Sequence, residues 1–219
     1  MSSVLPAIQS SSLRRNVADA LRTALLQGRY RPGEELSDSA LAAEFRVSRG
    51  PVREGLMLLV EEGLVLHRHN RGFEVPKLDR ENLNQIATVR HPLEVLALEL
   101  ARERMDTADL TKLEELKAGL LGAFRGGGIG ACALPDYEFH AYIWQKAGNQ
   151  WLEAALRRIS MPYFAYVSAF NLGRPGHSIE SLSEMHQRVI DYLAGTSSET
   201  ADECIAFHLA LDKDSEQQG

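Results

Sequence analysis

The chain is poor in cysteine, in long apolar runs and, over its first third, in lysine. Its 219 residues include two cysteines, Cys132 and Cys204, with no CxxC spacing. A disulfide framework is therefore not expected, and a reducing cytoplasm is the natural setting. The longest late uncharged run, ISMPYFAYVSAFNLG, has 15 residues and carries Pro, Ser and Asn. That is too short and too polar to cross a hydrocarbon layer of about 30 Å, so no membrane partner is expected. MSSVLPAIQSSS has neither the basic start nor the apolar stretch of a secretory signal. Lysine is missing from residues 1–75, where 10 arginines face 9 acids for a net charge of +1. Residues 76–219 carry −7, which gives −6 for the whole. The overall acidity argues against nucleic acid until the chain is divided. The N-terminal part then shows basic side chains that are all arginine, whose planar fork suits phosphates and guanine edges.

What is present fits an ordinary globular chain of one or two domains, 44% hydrophobic and 25% charged. Residues 12–27, SLRRNVADALRTALLQ, put Leu13, Val17, Leu21, Ala24 and Leu25 on one helical face, with Ser12 as cap and Gly28 as stop. A turn at Pro32-Gly33 leads to a short helix in SDSALAAEF, capped by Ser37. After Arg46-Val47, Ser48 caps a third helix with Pro51 in its first turn and Val52, Leu56, Leu59 and Val60 as its buried stripe. Two helices joined this tightly predict a helix-turn-helix. LVLH, a turn at HNRG and FEV then predict a small β-ribbon. Arg49 and Arg53 lie one turn apart at the start of the third helix, off its apolar stripe, where a recognition helix meets the major groove. Arg71 and Gly72 top the ribbon turn, within reach of a phosphate or a minor groove. The alternative is that both arginines pair with Glu54 or Glu44 on a solvated face.

PGEELSDSALAAEFRVSRGPVREGLMLLVEEGLVLHRHNRGFEV resembles the winged helix-turn-helix of the GntR family of bacterial transcription regulators. The resemblance covers about residues 12–76, and VSRGPVRE, EEGLV and NRG are specific together. It implies that Arg49 and Arg53 contact operator bases and that the wing tip, with His69, Arg71 and Gly72, enters the minor groove. Ser39 and Ser48 complete the implied DNA-binding set. Ser39 departs from the longer polar residue common at its position. Gly55 replaces the family's usual Ala, at an intrinsic helix cost of about 1 kcal/mol.

PKLDRE, residues 76–81, reads as a linker, and the chain beyond it reads as helix throughout. Helices are predicted at 80–104, 107–124, 134–147, 150–171, 179–194 and 199–212, with RGGGIGA at 125–131 as the most flexible break. Pro92 and Pro162 fall inside helical runs and should kink them. The fold class expected is therefore mostly α. A winged helix-turn-helix occupies 1–76, a linker 77–81, an all-α bundle 82–212 and a polar tail 213–219.

Within DYEFHAYIWQ, Asp136 and His140 share one helix face at i, i+4. Such a pair is commonly a surface hydrogen bond. His186 and His208, however, lie 11 residues either side of the GTSS turn, so an antiparallel hairpin brings both rings to one level among apolar neighbours. Three imidazoles and a carboxylate suit a divalent ion, zinc or nickel first and manganese next. Without a ligand, each buried ring nitrogen needs another partner at about 1–3 kcal/mol. Spacing thus favours a metal over satisfied core histidines. His91 and His177 read as surface or structural, and Trp144 and Trp151 as core.

Residues 80–212 resemble the FCD domain, the helical effector domain of the FadR-type GntR subfamily. DYEFHAYIWQKAGN, SEMHQRVIDYLAG and ECIAFHL carry the likeness. It implies Asp136, His140, His186 and His208 as metal ligands. In VRHPLEVLALELA it implies that Arg90 clamps the carboxylate of a small organic acid effector; the alternative is an Arg90–Glu94 pair one turn apart. A homodimer on two-fold-related operator DNA is likewise implied. The expected function is a cytoplasmic transcription regulator, not an enzyme, controlled by a carboxylate at a metal pocket. The rivals are a regulator whose metal is structural or sensed, and a metal-dependent hydrolase.

Overall fold

The computed structural model describes residues 11–69, 71–170 and 178–209. His177 and the polar tail lie outside them.

Helix α1 (Ser11–Leu26) buries Val17, Ala18, Leu21, Leu25 and Leu26. It opens one residue before the cap expected at Ser12, and Leu13, expected inside, is 41% exposed. After the turn comes strand β1 (Glu35–Leu36), too short to leave a pattern in the sequence. Helix α2 (Asp38–Phe45) is capped by Ser37, whose hydroxyl accepts from the Ala40 N–H at 3.3 Å. Arg46 adopts φ 56°, closing the helix in the left-handed region. Helix α3 (Arg49–Glu61) buries Val52, Gly55, Leu56 and Leu59. Strands β2 (Leu66–Arg68) and β3 (Gly72–Glu74) form the ribbon, and β1 pairs with the other side of β3 to give the antiparallel order β1-β3-β2.

Gly55 has a packing reason. A Cβ there would lie 3.0 Å from the Arg14 carbonyl, 3.0 Å from Val17 Cγ1 and 3.2 Å from the Ala18 nitrogen. The missing side chain lets α1 and α3 approach closely, so its helix-propensity cost is offset in packing.

The remainder is helical: α4 (Arg80–Arg102), α5 (Thr107–Gly127), α6 (Ala133–Lys146), α7 (Gln150–Phe170), α8 (Ile179–Leu193) and α9 (Ala201–Leu209). Asp79–Asn82, Asp106–Asp109 and Ser178–Ser181 form reciprocal capping boxes that set the starts of α4, α5 and α8. The glycine-rich stretch is more ordered than expected: α5 continues through Gly127, and Ile129–Ala131 form a 3₁₀ turn into α6. Pro92 and Pro162 sit inside α4 and α7 as read.

Helix α6 is buried on nearly all sides. Tyr137, Ala141 and Trp144 join an apolar core that continues into α1 and α3, while Phe139 and Ile143 join a second core shared with α4, α5, α8 and α9. The two halves of the chain therefore share one core through α6 and α7. Pro162 packs on the Gly63 turn after α3, and Arg158 Nη1 donates to the Glu61 carbonyl. Because α6 lies in the middle of the bundle, Asp136 and His140 open inward, while Glu138 and Gln145 remain at the surface.

Candidate metal and effector site

Four side chains from three helices converge at α6. Asp136 and His140 come from α6, His186 from α8 and His208 from α9, and one potential ligand atom of each lies within 4.8 Å of all the others. The hairpin register expected from the GTSS turn is met, with the His186 and His208 rings 4.7 Å apart. The His140 and His208 rings are 4.6 Å apart. His140 and His186 are buried; Asp136 and His208 are partly so.

Hydrogen bonding orients the donors. His186 Nδ1 lies 2.8 Å from the Leu182 carbonyl, which can only accept, so that nitrogen carries a proton. In the neutral ring the Nε2 lone pair then points at Asp136 Oδ1, 3.0 Å away. Two acceptors at that distance require a cation between them: a proton or a metal. His140 Nε2 and His208 Nε2 face each other at 2.8 Å, and His208 Nδ1 is buried with no partner among the described residues. Converging lone pairs, an orphaned buried nitrogen and a carboxylate fit a divalent ion bound by imidazole and oxygen.

Electrostatics agrees. Burial alone raises the Asp136 pKa, but the His186 hydrogen bond and the surrounding imidazoles outweigh it and hold the carboxyl well below its usual range. Burial, reinforced by His140 and His186, holds the His208 pKa well below 6.5, so its ring is neutral and ligand-competent.

The site opens on a cavity of about 70 Å³ whose lining includes the four residues with Arg90, Cys132, Tyr163, Phe164 and Met185. That volume admits several water-sized occupants. For Arg90 the alternative pairing with Glu94 is present, its Nη2 donating to Glu94 Oε1 at 2.7 Å, and the side chain also faces the cavity. The guanidinium rests over the rings of Tyr163 and Phe164, 5.0 and 5.2 Å away, and its Nε is buried without a partner.

Sequence reasoning missed a second task for Glu94. Its Oε2 accepts from Trp144 Nε1 at 2.6 Å and lies 3.6 Å from His140 Nδ1. One buried carboxylate thus holds the cavity arginine, a core tryptophan and the back of a predicted ligand. Burial raises its pKa, but the His140 and Arg90 charges and the Trp144 hydrogen bond outweigh this and lower it to about 2. The i, i+4 spacing of Arg90 and Glu94 was visible; the approach of α6 was not. Cys132 lines the cavity but lies outside the four-residue cluster, and burial with the Asp136 charge pushes its thiol up to about 11. His91 lies 3.5 Å from Asp202, as a surface pair. Trp144 is core, whereas Trp151 is 78% exposed, because it stands at the outer start of α7.

At the other end, Arg49 and Arg53 project from the first turns of α3 with 67% and 57% of their side chains exposed. Their partner is neither Glu54, which faces Arg14, nor Glu44, which pairs with Arg29. It is Asp38 of α2, which sequence reasoning did not single out. Ser48 occupies the N-cap of α3 without a side-chain capping bond, and the Ser39 hydroxyl pairs with that of Ser37 at 2.9 Å. His69 and Arg71 are exposed at the ribbon tip, and Gly72 takes φ 80°, a turn conformation that suits glycine.

Residues 13–75 match the model of bacterial regulatory proteins of the gntR family, and residues 85–211 match the FCD domain. The chain is 32% identical to the Nta operon transcriptional regulator of Aminobacter aminovorans over 83% of this chain and 82% of that one. It is 26% identical to the uncharacterized HTH-type transcriptional regulator YdhC of Bacillus subtilis, over 88% and 85%. The solved structure of Escherichia coli McbR/YncC superposes with a TM-score of 0.76 at 25% identity, covering 92% and 95%. These relatives and families are transcriptional regulators rather than enzymes, and among the described residues no helix is long and apolar enough to cross a membrane. The chain belongs to the gntR family of bacterial transcriptional regulators, with an N-terminal winged helix-turn-helix and a C-terminal FCD domain.

Proposed function

We propose that this regulator binds operator DNA in the cytoplasm as a homodimer, and that a small organic acid at a divalent metal in the FCD domain sets its operator affinity. The observation that carries the proposal is the gathering of four ligand atoms within 4.8 Å in a cavity that Arg90 also lines. Asp136, His140, His186 and His208 would hold the ion, zinc or nickel first and manganese next. Bound there, it supplies positive charge and open positions for carboxylate oxygens. Arg90 offers the effector the donor that Glu94 leaves unpartnered, and Tyr163 and Phe164 keep that guanidinium aimed into the cavity. Glu94 fixes the orientation of His140 from behind.

On the DNA side, Arg49 and Arg53 read base edges, Ser39 and Ser48 lie beside them, and His69, Arg71 and Gly72 bring the wing to the minor groove. The effector acts only through unequal affinity for DNA-competent and incompetent arrangements. The test is elemental analysis of protein purified without chelator, beside a His186→Ala/His208→Ala double variant, followed by acid titration of loaded and stripped protein on DNA. About one divalent ion per chain, lost in the variant, and an acid effect that needs the ion support the reading. An unchanged ion content in the variant, or an acid effect in stripped protein, overturns it.

A further inference from the structure

Arg49 and Arg53 carry like charges at i, i+4 on α3, an arrangement that by itself drives the two side chains apart. Asp38, at the first position of α2, brings them together. Its Oδ1 and Oδ2 lie 2.9 and 3.1 Å from Arg49 Nη2, and Oδ2 lies 3.6 Å from Arg53 Nη1. The carboxylate is 15% exposed, so its place is set by the fold, whereas the arginines are mostly exposed. Arg53 is held from a second side: its guanidinium lies 5.7 Å from the centre of the Phe73 ring on β3. One carboxylate of α2 and one ring of the wing thus fix the direction in which both arginines leave α3.

The geometry points to Asp38 as a residue that sets DNA specificity by holding the two reading arginines in one preset arrangement and charging any looser contact for leaving it. We infer this on the reading of Arg49 and Arg53 as DNA-contacting residues. Arg49 engages Asp38 through Nη2 alone, whereas a guanine edge is read by two guanidinium nitrogens together. A matched base pair can take up a preset arginine and return two aligned bonds. A phosphate met at random returns less, and it also meets the negative charge of Asp38 beside it. The carboxylate therefore weakens binding to unmatched DNA more than to matched DNA, and the ratio between the two widens.

The experiment uses the full chain. Sites are selected from a random-sequence duplex library with the wild-type protein. Affinities for the selected duplex and for a random duplex are then measured over a range of salt for wild type, Asp38→Asn, Asp38→Glu and Arg49→Ala. Asp38→Asn is expected to tighten random binding, to steepen its salt dependence by about one ion and to lower the selected-to-random ratio about tenfold. Asp38→Glu, which keeps the charge, is expected to hold a ratio near wild type. A merely structural Asp38 would lower the thermal midpoint and weaken both duplexes in proportion, leaving the ratio unmoved. An unchanged ratio in Asp38→Asn, with Arg49→Ala defective, overturns this inference alone. Arg49→Ala binding like wild type overturns the arginine reading and this inference with it. Should Asp38→Asn fold poorly, Asp38→Ser, also suited to a first helical turn, separates the same outcomes.

Discussion

Glu94→Gln is the most informative single change, because it keeps the shape while removing the charge and one of two acceptors. The wild-type carboxylate accepts from Arg90 through one oxygen and from Trp144 through the other. A glutamine has one carbonyl for those two donors, and its NH₂ must then face an N–H. Arg90, 1% exposed, loses its counter-charge in a site it cannot leave without unpacking Tyr163 and Phe164. Breaking a buried pair in this way costs about 3–5 kcal/mol. The orphaned Trp144 N–H adds about 1–3 kcal/mol where the amide turns its NH₂ toward it. The expected loss is therefore at least about 3 kcal/mol in urea or guanidinium unfolding of metal-free protein. Metal affinity, followed by competition with a chromophoric chelator, should fall about 10–100-fold through the loosened His140. The double variant Arg90→Met/Glu94→Gln decides between mechanisms. If the cost comes from a stranded guanidinium, Glu94→Gln should cost much less once Arg90 is gone, with a coupling above about 1 kcal/mol. Additive losses, or a single-variant loss below about 1 kcal/mol, would refute the account of Glu94 as the buried anchor of Arg90.

Gly55→Ala should lose stability by thermal unfolding, although helix propensity alone favours Ala by about 1 kcal/mol. The new Cβ would sit 3.0–3.2 Å from two backbone atoms of α1; a net gain would mean that α1 and α3 can separate freely. Gly63→Ala should cost about 1–2 kcal/mol for its left-handed backbone alone. At φ 77° its Cβ would also press on Pro162 Cγ at 3.2 Å and the Arg158 carbonyl at 3.3 Å, so a neutral result in chemical unfolding would contradict this turn. Two pH windows should appear in the stability of metal-free protein. The folded His208 pKa is depressed below 6.5, so the unfolded chain takes up its proton first and stability falls as pH drops below about 6.5. Glu94, lowered from 4.5 to about 2, contributes stability that is present above pH 4.5 and lost between there and about 2. Removing the histidine with His208→Phe should abolish the upper window and leave the lower.

The helices were legible because their signals are local: Ser37 and Ser48 before apolar stripes, Gly28 and Gly63 after α1 and α3, and a 3.6-residue period in between. The hairpin arithmetic around GTSS also carried, since it needs only helical rise and an antiparallel turn. Tertiary contacts were out of reach. Strand β1 is two residues long and owes its existence to β3. Gly126 and Gly127 stay helical despite their propensity, with α5 packed along α6 and α8. Glu94 was visible as a neighbour of Arg90, but its bond to Trp144 joins residues 50 apart. Asp38 stands 11 residues from Arg49, in a different helix, and no periodicity links them.

The same limit applies to the tether between the halves. A short linker in sequence suggests two bodies joined loosely, yet α7 serves both. Tyr163 and Phe164 lie against Arg90 at the cavity, while Pro162 meets the turn at Gly63 and Arg158 reaches the end of α3. These positions are consecutive or one turn apart on one helix, so a displacement at Arg90 and a displacement at the root of the recognition helix are not independent. On the function proposed for this chain, an acid that draws Arg90 away from Glu94 changes the packing of Tyr163 and Phe164, and α7 presents that change to α3 without passing through the linker. Packed interiors respond to such shifts by exchanging discrete arrangements rather than by yielding smoothly. On that proposal residues 76–78 can be short and irregular, because α6 and α7 already join the halves through their shared core.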